Sequence, residues 1–221
     1  MPGYILHLAA AKILLDKYNI SVNKNNFYVG TLLPDAVSEK SASHFRAKER
    51  SGKMVEYPEL DVFSEKYGSL FNDSSVLGYY YHLYIDRKFF TEYYPRVLKY
   101  LNWKLEEETE KEKVVYACVL RTGEILPLKK FLSEEYYYGD FTRMNTWLVE
   151  KFQLPLHLNT QIKNPGIKEV DYRNVESVLG QLQGYLEVPA EEAEHLRVFD
   201  KEDLIKFLEN AAAEWCRMVK Y

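Results

Sequence analysis

The stretch from Ser75 to Tyr94, SVLGYYYHLYIDRKFFTEYY, constrains this chain most, because it is apolar or aromatic on every side and carries His82 and Asp86 four residues apart. A helix that is apolar all round is a buried one, and other helices must pack about it. Asn72-Asp73-Ser74-Ser75, just upstream, supplies the cap residues that start it. The pattern predicts a mainly helical domain around a buried helix over 75–94, with His82 and Asp86 on one face.

The remaining segments extend the same reading. Residues 4–18 combine Ile5, Leu8, Ile13, Leu14 and Leu15 with Ala9-Ala10-Ala11, as a packed helix does, and place His7 in its first turns. The apolar stretch 25–33 ends at Pro34, which turns the chain and leaves Asp35 just past a helix end. Residues 36–56 are polar and serine-rich, a loop containing His44. Pro58 opens a short helix running to about Tyr67. The run KLEEETEKEK over 104–113 suits a solvated helix or linker. Residues 114–128 fit either one short β-hairpin at Arg121-Thr122-Gly123 or a helix and turn. Further helices are expected over 133–152, 171–187 and 200–220, the last capped by Asp200. With 221 residues, 47% hydrophobic content, no repeat and no dividing linker, residues 1–221 read as one compact domain.

Composition narrows the partners. A net charge of -4, with 33 acidic against 29 basic residues, offers no basic footprint, so nucleic acid is not an expected partner. Cys118 and Cys216 are too few for a disulfide framework. The amino-terminal MPGYILHLAAAKILL has no basic leader region and is interrupted by His7 and Lys12, so neither a signal peptide nor stable membrane insertion is expected, and a cytoplasmic setting fits. The 19 tyrosines bring large apolar bodies whose hydroxyls need partners when buried.

Several polar residues stand out against this background. His82 and Asp86, at helical spacing, can ligate one ion or simply bond each other. His7, on an otherwise apolar helix, is either a core histidine satisfied by a carbonyl or a ligand. Asp35 is a turn former or a ligand, and His44 a solvated loop residue or a ligand. Asp140, in YYYGDFTRMN, either caps a helix near Phe141 or completes the site, with Arg143 and Asn145 as phosphate-binding candidates beside it.

Three segments in order, MPGYILHLAAAKILL, YVGTLLPDAVSEKSASHF and LGYYYHLYIDRKFF, resemble the successive signatures of the zinc-dependent phospholipase C family. The resemblance covers about residues 1–95, with Gly30, Pro34 and Gly78 at framework positions. It implies the helical fold of that family and a metal site of His7, Asp35, His44, His82 and Asp86. It further implies hydrolysis of a phosphodiester or phosphomonoester, from a small molecule or a phospholipid, by a metal-activated water. Asp35, freer at its turn than a helix-borne ligand, is the candidate general base. The family's downstream histidine and His-x-x-x-Glu pair have no counterpart: His157 is followed four residues on by Gln161, and His195 by Phe199. Five ligands supply one tight zinc and at most a second, weaker ion near His7. The alternative is a binding or structural protein that keeps the scaffold and a residual metal site. An HD-type phosphohydrolase is set aside, because no adjacent His-Asp pair occurs.

Overall fold

The computed structural model describes residues 3–219 and is mainly helical, with one small antiparallel sheet. In chain order its helices are α1 (Tyr4–Lys17), α2 (Lys24–Leu32), α3 (Lys40–Ser43), α4 (Leu60–Tyr67), α5 (Ser74–Lys88), α6 (Tyr94–Val97), α7 (Leu128–Phe131), α8 (Tyr137–Phe152), α9 (Asn174–Leu182) and α10 (Lys201–Met218). Strands β1 (Leu98–Leu101), β2 (Tyr116–Val119) and β3 (Glu124–Pro127) pair in that order, Tyr100 opposite Ala117 and Cys118 opposite Ile125. None of the described helices is long and apolar enough to cross a membrane.

The caps explain where the main helices begin. The Asn23 side chain accepts from the Asn26 amide, Asp73 from Ser75 and Val76, and Asp200 from Glu202 and Asp203, satisfying donors that a helix start leaves open. The expected 75–94 helix is correct in place but not continuous. It leaves the α-helical path at Lys88, passes through a five-residue π-turn over Phe89–Tyr93, and resumes as α6 with Pro95 in its first turn. Proline has no N–H to return to the preceding turn, and it is tolerated where a helix starts anew.

Three other segments are decided or revised. The 114–128 segment forms the β2–β3 hairpin, with Gly123 at φ 71° closing its turn, and a third strand, β1, joins it. The charged 104–113 run is neither an extended helix nor a free linker. It is a loop ending in a short 3-10 turn, tied down by the bridges Leu101–Glu107 and Lys53–Glu110. The helix expected from 133 begins at Tyr137, because the Ser133 carbonyl is taken by the amides of Tyr136 and Tyr138 in a preceding turn.

At the centre, α5 is buried from Ser75 to Asp86 and packs most intimately on α2. Two glycines set that approach. A Cβ on Gly30 would lie 2.2 Å from the Ser75 carbonyl oxygen, and one on Gly78 would lie 2.1 Å from that of Phe27. Many of the tyrosines are core residues with polar tips: Tyr80, Tyr81 and Tyr84 surround the buried Trp215, while the hydroxyls of Tyr79 and Tyr81 donate to the carbonyls of Ser43 and Ala10. Through Tyr79, the core helix holds the loop that carries His44.

Candidate metal centre

Four separate segments deliver the five residues to one buried point. His7 comes from the first turn of α1, Asp35 from the 3-10 turn after α2, His44 from the end of α3, and His82 and Asp86 from one face of α5. Their exposures are 1%, 4%, 0%, 1% and 0%, so His44 is not a solvated loop residue. His82 Nε2 lies 3.7 Å from Asp86 Oδ2, as their shared helix face requires.

Backbone carbonyls decide which nitrogen of each ring faces the centre. His82 Nδ1 is 2.8 Å from the Thr31 carbonyl oxygen and His44 Nδ1 is 2.9 Å from that of Lys40. A carbonyl only accepts, so each Nδ1 donates and each Nε2 of the neutral ring keeps its lone pair. Those two Nε2 atoms stand 3.3 Å apart. Burial and the neighbouring His7 push His82 down to about 3, so it carries no second proton at neutral pH to share across the gap.

The carboxylates complete the arrangement. His44 Nε2 is 3.5 Å from both Asp35 Oδ1 and Asp86 Oδ2. Burial alone would raise both acids, but the imidazoles packed against them outweigh it. Asp35, helped also by Lys40, is held well below the usual carboxylate range, and Asp86 is lowered too. His7 stacks on His82 with ring centroids 3.6 Å apart, and its Nε2 is 3.3 Å from Asp86 Oδ1 without hydrogen-bond geometry. Among the described residues, both ring nitrogens of His7 and both oxygens of Asp86 lack a hydrogen-bond partner. Buried polar atoms are rarely left so, and these belong to a cluster that could hold a metal ion.

These residues fit a metal ion. Two nitrogens about 2.0–2.1 Å from a tetrahedral ion lie about 3.3–3.4 Å from each other, which is the observed His44–His82 separation. Two overlapping groups, His7–Asp35–His82 and His44–His82–Asp86, each have ligand atoms within 4.8 Å of one another. They share His82, whose only free nitrogen can serve one ion, so the geometry describes one principal position. The Thr31 and Lys40 carbonyls that orient the rings leave no trace in side-chain identity, and sequence reading passed over them.

The other candidates lie in different surroundings. Asp140, fully buried in the first turn of α8, accepts from the amides of Arg197, Val198 and Phe199 and pairs with Arg143 at 3.0 Å. It therefore clamps the segment before α10 onto α8. Arg143 also donates to the carbonyls of Glu134 and Glu135 and is engaged in the same clamp. Asn145, by contrast, lines a cleft of about 410 Å³ together with Asp35, Lys40, Tyr4 and Thr142. Asp35 and Lys40, whose Nζ is 2.7 Å from Asp35 Oδ1, thus form the side of the cluster that meets open space.

The depressed His82 has a consequence for the metal-free protein. The folded value, about 3, lies below the unfolded value of about 6.5, so the unfolded chain takes up the proton first. Stability is fully present above pH 6.5 and is lost as pH falls toward 3, by about tenfold in the folded-to-unfolded ratio per pH unit. Urea midpoints in chelator should fall steadily from pH 7 to pH 4.5, and the His82→Asn variant should show a flatter profile. A wild-type midpoint constant over that range contradicts the burial of a neutral imidazole.

No known family model, curated protein or solved structure matches the chain.

Proposed function

We propose that the chain is a zinc-dependent phosphoester hydrolase. The observation that carries this reading is the pair of carbonyl-oriented imidazoles, His44 and His82, whose Nε2 atoms face each other at 3.3 Å between two ionised carboxylates. Nitrogen donors with carboxylate oxygens suit zinc, and the order of the ligand segments resembles that of the zinc-dependent phospholipases C.

In this reading His44, His82 and Asp86 would hold the metal from the buried side, leaving a position toward the cleft, where Asp35 stands. His7 packs the rear of the site against His82. Zinc, when bound, supplies a water acidic enough to react at neutral pH and offsets charge on a phosphoryl oxygen. Asp35 is the carboxylate that faces the substrate space. Held ionised, it accepts a hydrogen bond from the attacking water and orients it, a role that suits its depressed value better than storing a proton does. Lys40 places a positive charge at the mouth of the cleft for an anionic phosphoester, and Asn145 and Thr142 offer neutral polar groups opposite.

One observation favours a second reading. Every ligand except Asp35 is at most 1% exposed, as in sites that hold a fold together and keep no position open to substrate. The two are separated by metal analysis of purified protein together with a panel of phosphomonoesters and phosphodiesters. The hydrolase reading expects zinc and a turnover that falls at least about 1000-fold in Asp86→Asn, as losses of essential metal-site groups do. Zinc with no turnover on any ester leaves a metal-stabilised scaffold.

A further inference from the structure

A cavity of about 660 Å³ lies away from the metal centre. It lies between the loop after α3 and the π-turn, floored by Tyr94, Leu98 and Tyr100 and walled by Met54 and Phe90. It continues into a recess of about 240 Å³ that shares Lys53, Met54, Phe90, Tyr94 and Tyr100. A space of this size, mostly apolar with a few polar groups, is the form a small-molecule site takes. Phe90 and Thr91 reach it from the π-turn, an irregularity that recurs at functional sites.

Its charged groups differ in how far they are already engaged. Lys53 is paired with Glu110, and Lys99 with Glu107. The Glu108 carboxylate accepts from the amides of Thr109 and Glu110, which hold it ionised. Arg50 differs: its guanidinium lies 3.9 Å from the centre of the Tyr57 ring, and among the described residues its side chain makes no ion pair or hydrogen bond. The ring covers one face of the fork and leaves its N–H edges unspent, a preorganised anion receptor at the cleft wall. On the floor, the hydroxyls of Tyr94 and Tyr100 are 2.6 Å apart. The Tyr94 hydroxyl is also bonded to that of Tyr137, so the floor is a cluster of three buried tyrosine hydroxyls.

We propose that this cleft is a second ligand site, separate from the metal centre, for a small aromatic anion of the aryl sulfonate or aryl carboxylate class. The aromatic body lies against Phe90, Tyr94 and Met54, and the anionic group is met by Arg50. The site needs neither the metal nor any of its five ligands.

The probe is naphthalene-2-sulfonate, whose sulfonate is a poor zinc ligand, titrated calorimetrically into the full chain as purified, with 2-naphthylmethylammonium as the cationic isostere. One saturable site per chain is expected for the sulfonate, with the cation bound at least about tenfold more weakly. Arg50→Gln should weaken the sulfonate by about tenfold or more, the usual worth of a hydrogen bond to a charged group. Because Arg50 makes no internal hydrogen bond or ion pair and would lose only its contact with the Tyr57 ring, that variant should melt within a few degrees of the wild type, and the loss of binding can then be assigned to the receptor. No saturable binding at millimolar sulfonate, equal affinity in Arg50→Gln, or preference for the cation would each overturn the proposal.

Discussion

Adding a strong chelator to the zinc-loaded protein is expected to lower its melting temperature by about 10 °C. A ligand that binds only the folded state at a thousand times its dissociation constant contributes about 4 kcal/mol, and each kcal/mol moves the midpoint of a domain this size by about 2–4 °C. The effect is large because the site is assembled from four separate segments. Without a cation, the unpartnered atoms of His7 and Asp86 and the facing Nε2 atoms of His44 and His82 remain buried together. In His82→Ala the chelator effect should vanish, since the residue common to both ligand groups is gone. Differential scanning fluorimetry on protein of known zinc content decides the matter: superimposed curves with and without chelator would remove the metal from the account. Saturation at one tight ion per chain is expected alongside, and three would mean that ligands outside this cluster contribute.

Gly78→Ala should be severely damaging, because it adds a methyl where the two central helices touch. The new Cβ would sit 2.1 Å from the Phe27 carbonyl oxygen and 3.0 Å from its carbon, and a backbone group inside a buried helix has no rotamer to escape through. Relief requires α2 and α5 to separate, which opens the best-packed contact in the core. A loss at the upper end of overpacking costs, about 3 kcal/mol or more, is expected. The damage should reach the metal centre, because Thr31 on α2 supplies the carbonyl that orients His82 on α5. Zinc affinity should therefore fall even where the variant folds. Gly180→Ala on α9 is the control: its Cβ would meet nothing within 4 Å, and in an exposed helix alanine should stabilise by about 0.5–1 kcal/mol. Urea unfolding of the two variants beside the wild type tests both signs. Equal stability of Gly78→Ala and wild type would refute the close approach.

Much of this was legible because it is local. The i, i+4 spacing of His82 and Asp86 follows from helix geometry alone, and Asp73 and Asp200 cap the helices their positions suggest. Other features escaped because they depend on distant chain. β1 is only four residues long and becomes a strand by pairing with β2, beyond the whole 102–115 loop. Asp140 looked like a helix cap or a site residue, yet its carboxylate is occupied by amides of Arg197–Phe199, which no local pattern connects to it.

The sequence by itself determined the helical class, the buried central helix and the identity of the residues able to ligate, because periodicity, caps and ligand chemistry are written in side chains a few positions apart. Only the tertiary structure decided that His7, Asp35, His44, His82 and Asp86 meet, that the Thr31 and Lys40 carbonyls turn two ring Nε2 atoms toward each other, and that Asn145 faces a cleft while Asp140 does not. The physical reason is that backbone carbonyls and open space have no residue type. They acquire a role only when α2 and α5 close to glycine contact and the loop bearing His44 is held against them by Tyr79.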